Sequence, residues 1–359
     1  MSAVSAQAPH GTAGERAHAR RPVRDVVVLA NPASGRGRGE AVGESVAAAI
    51  AADGHAVRSV TVRHWDALVE ACEDADALVI CGGDGTVHHA LELLIHERDE
   101  EAAERAERGA RFAYRANGRA KRHPDRRSLE DLDLERPRPT PGPAVYHVPL
   151  GTENLFAREF GMTGAPSAVA AALRAWRVRD IDLGRCRGWP FAIMVGVGPD
   201  AEVIHRMDEA RTGAISHISY VGPVLGVAMR PRVPRLRVRV DGRVVVNVRR
   251  GSVIVANSRQ YALRVDPCPR AVVDDGMLDI AFLPARTTLE AAGLTLLSRL
   301  RLHESVPGVV IERGTKVLIE TIDAPAPVQI DGETGGDLPP GAPMEISIDP
   351  KAARVLTPG

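Results

Sequence analysis

Lysine is nearly missing from this 359-residue chain: apart from Lys121, Lys316 and Lys351, its 46 basic residues are all arginine. Phosphate chemistry that depends on a lysine has few places to find one. No GxxxxGK[ST] string occurs, which excludes a P-loop nucleotidase. Cysteine is as sparse. Cys72, Cys81, Cys186 and Cys268 form no CxxC pair and no His/Cys spacing suited to zinc, so they read as reduced structural thiols of a cytoplasmic protein. No uncharged apolar run reaches the roughly 18 to 20 residues that cross a bilayer, so any membrane association is expected to be transient and peripheral. Net charge is absent too: 46 basic residues stand against 46 acidic ones, which argues against a nucleic-acid partner held by bulk positive charge. Residues 1–22 are small, polar and arginine-bearing, without the apolar stretch of a signal peptide, and read as a disordered tail.

What remains, 44% hydrophobic and 26% charged residues, is ordinary for a globular chain, and the length allows about two domains. Short apolar strands at Val26–Ala30, Val57–Val62 and Ala77–Cys81 alternate with helical patterns at Glu40–Ala52, Trp65–Cys72 and Thr86–Ile95. Such alternation implies right-handed crossovers and a parallel sheet covered on both faces. Residues 97–143 dissolve into charge and then proline, an insertion expected to begin as a solvated helix and end as a linker. A strand at Ala144–Val148 and a helix at Ser167–Trp176 follow. Beyond them come strands at Phe191–Val197, Leu236–Val240, Val244–Val248, Ser252–Ala256, Leu278–Phe282, Val317–Glu320 and Val328–Ile330. Asp241-Gly242 between two alternating runs is a hairpin signal. The expected fold is a Rossmann-like nucleotide-binding α/β domain (23–153) followed by an antiparallel β-sandwich (154–345), with 346–359 returning to the first domain.

Three glycine turns carry the chemistry, each following a strand. Cys81-Gly-Gly-Asp-Gly-Thr86 sits between an apolar strand and a helix start, where glycines admit phosphate oxygens to backbone amides and the helix dipole adds positive potential. An acid inside an anion-binding turn is unusual, so Asp84 reads as a ligand for magnesium or water, or as a helix cap. Asn31-Pro-Ala-Ser-Gly35 and Pro149-Leu-Gly-Thr152, with Asn154 beyond it, are the other two turns. Together the three would form one anion cradle at the carboxyl edge of the sheet. His88 and His89 follow the central turn. Adjacent helical positions point about 100° apart, so ordinary surface and packing roles are expected in place of a shared ion. Arg235, Arg237 and Arg239 line one strand face, which is either solvated or a contact for an anionic membrane.

These turns, with Asp274-Asp-Gly-Met-Leu-Asp279 and Asp331-Gly-Glu333 later in the chain, form an ordered set. The set resembles the diacylglycerol kinase catalytic-domain family, which includes bacterial lipid kinases and sphingosine kinases. The resemblance spans about Val23 to Ser347 and implies an ATP- and Mg2+-dependent kinase acting on the hydroxyl of diacylglycerol or a related lipid. It implies that ATP lies over Asn31, Ser34 and Gly35, with Gly82, Gly83, Gly85 and Thr86 around the phosphates and Gly151, Thr152 and Asn154 from the third turn. Asp84 would join the magnesium and phosphate network, Glu333 would be the general base, and Asp275 with Met277 would match a structural magnesium site. A lipid substrate and a membrane surface are the implied partners, and a homodimer is compatible with the resemblance. The chain departs from the pattern at Arg36, where many members have lysine, and at His88 and His89, where asparagine and glutamate are usual. Glu153 and Leu155 stand where a small residue and aspartate flank Asn154 in bacterial lipid kinases. The rival readings are an NAD kinase-like enzyme and a non-catalytic nucleotide- or membrane-binding module. Leu155, Phe156, Phe160, Val221 and Leu225 are core residues or acyl-chain lining.

Overall fold

Apolar β-branched runs build the first half of the molecule. The computed structural model describes residues 23–116, 142–202, 205 and 233–359, with the backbone alone for 101–116 and Thr288. The tail 1–22, the second part of the expected insertion, and Val221 and Leu225 lie outside the described residues. Strands β1 (Asp25–Ala30), β2 (Ala56–Thr61), β3 (Ala77–Gly82) and β4 (Ala144–Pro149) pair in parallel in the order β4-β3-β1-β2. All six residues of β3 are buried, as a central parallel strand covered on both faces requires. The helix after the central glycine turn runs from Asp84 to Ala116, well past the expected Ile95. Arg98, inside the stretch read as a charged insertion, donates from Nη1 to the Ala352 carbonyl at 2.7 Å. That stretch therefore opens against the protein's own surface.

The second half is antiparallel. Strands β5 (Arg177–Cys186), β6 (Trp189–Phe191), β7 (Met194–Val197), β8 (Arg235–Val240), β9 (Arg243–Ala256) and β10 (Leu278–Pro284) are followed by β11 (Val310–Gly314), β12 (Lys316–Thr321), β13 (Ala326–Ile330), β14 (Glu333–Leu338) and β15 (Met344–Thr357). Asp241 and Gly242, both at positive φ, close the β8–β9 hairpin as its sequence demands. The two runs expected as separate strands at Val244–Val248 and Ser252–Ala256 are one strand, β9, which contains Val248 at φ 50°. Its first half pairs with β8 and its second half with β7 and β10. A strand that changes sheets in this way makes the corner of a sandwich. Between the layers Leu236, Val238, Val317 and Ile319 pack with Val195, Val253, Ile280 and Phe282 in one buried cluster.

Strand β15 joins the halves. Its first part pairs with β12, and its last part meets β4 in parallel at Val355–Val145, with β5 antiparallel along its flank. Hydrogen bonding is thus continuous from β14 at one extreme to β2 at the other.

Candidate active site

The three glycine turns do meet. Asn31 donates from Nδ2 to Thr86 Oγ1 at 2.9 Å, and the Gly35 amide donates to the Leu150 carbonyl at 3.1 Å. A Cβ placed on Gly151 would stand 2.9 Å from Gly83 Cα, so the second and third turns touch backbone to backbone and only glycine allows it. Gly82 faces the Thr86 side chain just as closely. Asn154, at φ 50°, accepts from the Gly151 amide and donates back to the Gly151 carbonyl, both at 2.8 Å, which locks the third turn. Ser34 and Gly35 lie in an irregular turn, with Gly35 and Arg36 at φ 61°, and the Ser34 amide donates to the Asn31 carbonyl. These contacts bring Asn31, Ser34, Gly35, Gly82, Gly83, Thr86, Gly151 and Asn154 together at the carboxyl ends of β1, β3 and β4.

Asp84 is more than a cap of its own helix. Its Oδ1 accepts from the Phe156 amide at 3.1 Å, tying the second turn to the short helix Leu155–Glu159 of the third. Burial pushes its carboxyl up, against the lowering effects of His147 and of the Leu155 and Phe156 amides; the Asp331 charge pushes it up further. His147 supports the turn from beneath. Fully buried, it donates from Nε2 to the Gly82 carbonyl at 2.9 Å, and its Nδ1 has no hydrogen-bond partner among the described residues. Burial pushes the imidazole down and so favours its neutral form. Nothing in the sequence distinguishes this histidine from other strand residues.

Glu333 comes from the far end of the chain. Asp331 and Gly332, at φ 50° and 84°, form a two-residue turn between β13 and β14, and Glu333 opens β14. Its carboxylate lies against Gly85 so closely that a methyl there would overlap Oε1. The candidate base therefore reaches the first turn of the helix that follows the central glycine loop. Its hairpin is held by Asp331. Asp331 is buried and accepts from the amides of Ala192, Ile193 and Met194 at 2.8, 2.9 and 2.8 Å. His88 Nδ1 lies 3.4 Å from its Oδ2. Burial pushes His88 down, but Asp331, Glu92 and Glu333 outweigh it and hold the imidazole above its ordinary value. His89 turns away to Glu92 at 2.8 Å and stacks edge-on against Trp65, so the two histidines grip no common ion. Asp331→Ala removes the acceptor of three buried amides and is expected to destabilise the fold by about 3 kcal/mol or more in urea denaturation, while Asp331→Asn, which keeps one acceptor oxygen, costs less.

At the position of the expected structural magnesium site, Asp275 with the backbone of Met277, the carboxylate is paired with an arginine. Arg313 places Nη2 on the Asp275 carboxylate and Nε 3.1 Å from Asp279 Oδ2, and the Met277 amide donates to Asp275 Oδ1 at 3.1 Å. A guanidinium thus stands on the carboxylate that a cation would use. Asp274 is taken likewise by Arg179 at 2.6 Å. Among the described residues no cluster of three or more His, Cys, Asp or Glu is placed to hold a metal. The junction is held by Asp182 as well, whose two oxygens accept from the Gly276 and Lys351 amides at 2.6 and 2.8 Å. Leu155, Phe156 and Phe160 are buried among the core residues of the first half.

Comparison with known proteins agrees with this architecture. The family described as diacylglycerol kinase catalytic domain matches residues 25–186, and the YegS C-terminal NAD kinase beta sandwich-like domain matches 193–357. The chain is 26% identical to a "Probable lipid kinase YegS-like" of Pseudomonas aeruginosa, over 89% of this chain and 91% of that protein. It is also 26% identical to a "Diacylglycerol kinase" of Mycobacterium tuberculosis, over 94% and 97%. A crystal structure of a diacylglycerol kinase from Bacillus anthracis shares the fold, with a TM-score of 0.61 at 15% identity over 94% of this chain and 98% of that one. The two matched domains are consecutive, so residues 25–186 belong to the diacylglycerol kinase catalytic-domain family and are followed by a YegS-type C-terminal domain.

Proposed function

We propose that the protein transfers the γ-phosphoryl group of ATP to the hydroxyl of diacylglycerol or a related glycerolipid. The observation that carries this reading is the meeting of Glu333 with Gly85. It sets one carboxylate from the second half of the chain beside a phosphate-type turn from the first. In-line phosphoryl transfer requires mainly positioning and charge stabilisation. The cradle of Asn31, Ser34, Gly35, Gly83, Thr86 and Thr152 would orient the triphosphate, and the positive end of the helix beginning at Asp84 would face its charge. Glu333 would take the hydroxyl proton as the lipid oxygen bonds to the γ-phosphorus and the bond to the β-phosphate oxygen breaks, releasing ADP.

Mg2+ commonly reaches such sites bound to the nucleotide, retaining waters and needing one or two carboxylates. Asp84 would supply a hard oxygen donor of that kind, and a cation held there would offset the Asp331 charge and neutralise charge developing on the phosphates. The experiment is incubation with labelled ATP, Mg2+ and either diacylglycerol-containing vesicles or NAD. Label in the organic phase is expected. Label in a dinucleotide, or binding without transfer to either, overturns the reading.

A further inference from the structure

On β8, two of the three aligned arginines are compensated by one acid. Arg237 and Arg239 both pair with Glu320, at 3.1 and 2.7 Å. A different surface has the opposite character. The helix Thr288–Ser298 begins with Thr287 capping the Glu290 amide at 3.1 Å, while the Glu290 carboxylate accepts from the Arg286 amide at 2.7 Å, a reciprocal cap. Its inner face is Ala291, Leu294 and Ser298, all buried. Its outer face should then be polar. It is not: Leu289 and Leu296 are 73% and 64% exposed, with Ala292 and Gly293 exposed between them, and Leu300 and Leu302 just beyond are 67% and 52% exposed.

Basic residues frame the leucines. Residues 286–302 hold three arginines, Arg286, Arg299 and Arg301, against the single acid Glu290. All three arginines are exposed, although Arg301 pairs with Asp266 at 3.3 Å, and Glu290 is already spent on the cap. The Arg299 guanidinium donates to the Leu263 carbonyl at 3.0 Å, drawing the exposed Leu263 and Arg264 onto the same face. A two-sided apolar helix bordered by guanidiniums is a poor solvent-facing element and a good interfacial one. Leucine enters the acyl boundary, and arginine binds lipid phosphate in bidentate fashion.

We infer that the outer leucine face of helix Thr288–Ser298, with Arg286, Arg299 and Arg301 around it, docks on the surface of an anionic bilayer. The occupant is lipid because both halves of the pattern match it: apolar side chains left uncovered among the described residues, and the guanidiniums of Arg286 and Arg299, with that of Arg301 beside Asp266, at their rim. The inference rests on the lipid-kinase reading for the reason such a surface exists, though its test does not depend on catalysis.

The test is sedimentation of the full chain with phosphatidylcholine vesicles, with and without phosphatidylglycerol, and in parallel phosphorylation of vesicle-borne and of monomeric short-chain diacylglycerol. Leu296→Glu combined with Leu300→Glu is expected to weaken vesicle binding roughly tenfold or more. It should leave the melting temperature and transfer to the monomeric substrate unchanged, because both side chains are exposed. Arg299→Gln with Arg301→Gln should weaken binding by roughly fivefold per arginine, on anionic vesicles alone. If the wild type phosphorylates lipid yet neither pair alters vesicle binding, the docking surface is overturned. It is overturned too if the leucine pair alters only the oligomeric state by sedimentation velocity, which would make the occupant a second copy. If the wild type phosphorylates no lipid but binds vesicles through these leucines, docking stands and the proposed reaction falls.

Discussion

Glutamine at position 333 lowers turnover by roughly 10² or more, the scale of a lost general base, and leaves folding and ATP affinity unchanged. The substitution keeps the shape and one carbonyl oxygen of the side chain but removes its capacity to accept a proton from a lipid hydroxyl. Glu333 opens β14 next to a turn held by Asp331, so the backbone that carries it is fixed independently of its side chain. The melting temperature and ATP binding by calorimetry should therefore match the wild type while labelled-phosphate transfer collapses. Turnover equal to the wild type would remove Glu333 from the mechanism, whatever its position.

The parallel half was legible because its signals are local. Strand β3 is apolar throughout, and the glycines after it are required by contacts within a few residues or with the next turn, as at Gly82 against Thr86. The Asp241-Gly242 hairpin was legible for the same reason. What the sequence concealed depends on partners far along the chain. Strand β5 reads Arg-Val-Arg-Asp-Ile-Asp, and β15 is interrupted by a register shift between Asp349 and Ala353, so neither shows clean alternation until the two are paired. The helix Thr288–Ser298 has leucine on both faces and no single apolar stripe to announce it. Asp331 looked like a turn residue and is one. Its hold on three amides of residues 192–194 is invisible without the fold. Arg313 lies 38 residues from Asp275 in sequence, and only pairing of β10 with β11 brings its side chain to the acidic turn. The motif names the Asp275 carboxylate and is silent on the guanidinium that pairs with it.

Gly85→Ala should separate the site from the fold. Gly85 does not adopt positive φ, so alanine fits the backbone there and is a better helix former. The nearest atoms that an added methyl meets are the Oε1, Cδ and Cγ of Glu333. They are the far end of a flexible side chain, so the cost falls on the position of the carboxylate and the core is untouched. Turnover is expected to fall by roughly 10², the loss that follows when a base is displaced by about an ångström, with a melting temperature equal to or above that of the wild type. The decisive measurement is the double-mutant cycle with Glu333→Gln. If Gly85 acts by giving Glu333 room, the methyl has nothing further to spoil once the base is gone, and the double variant should be little slower than Glu333→Gln alone. Full multiplication of the two losses would assign Gly85 a separate role at the phosphates. An unaltered rate in Gly85→Ala would show that the carboxylate does not work from the place where it meets this glycine.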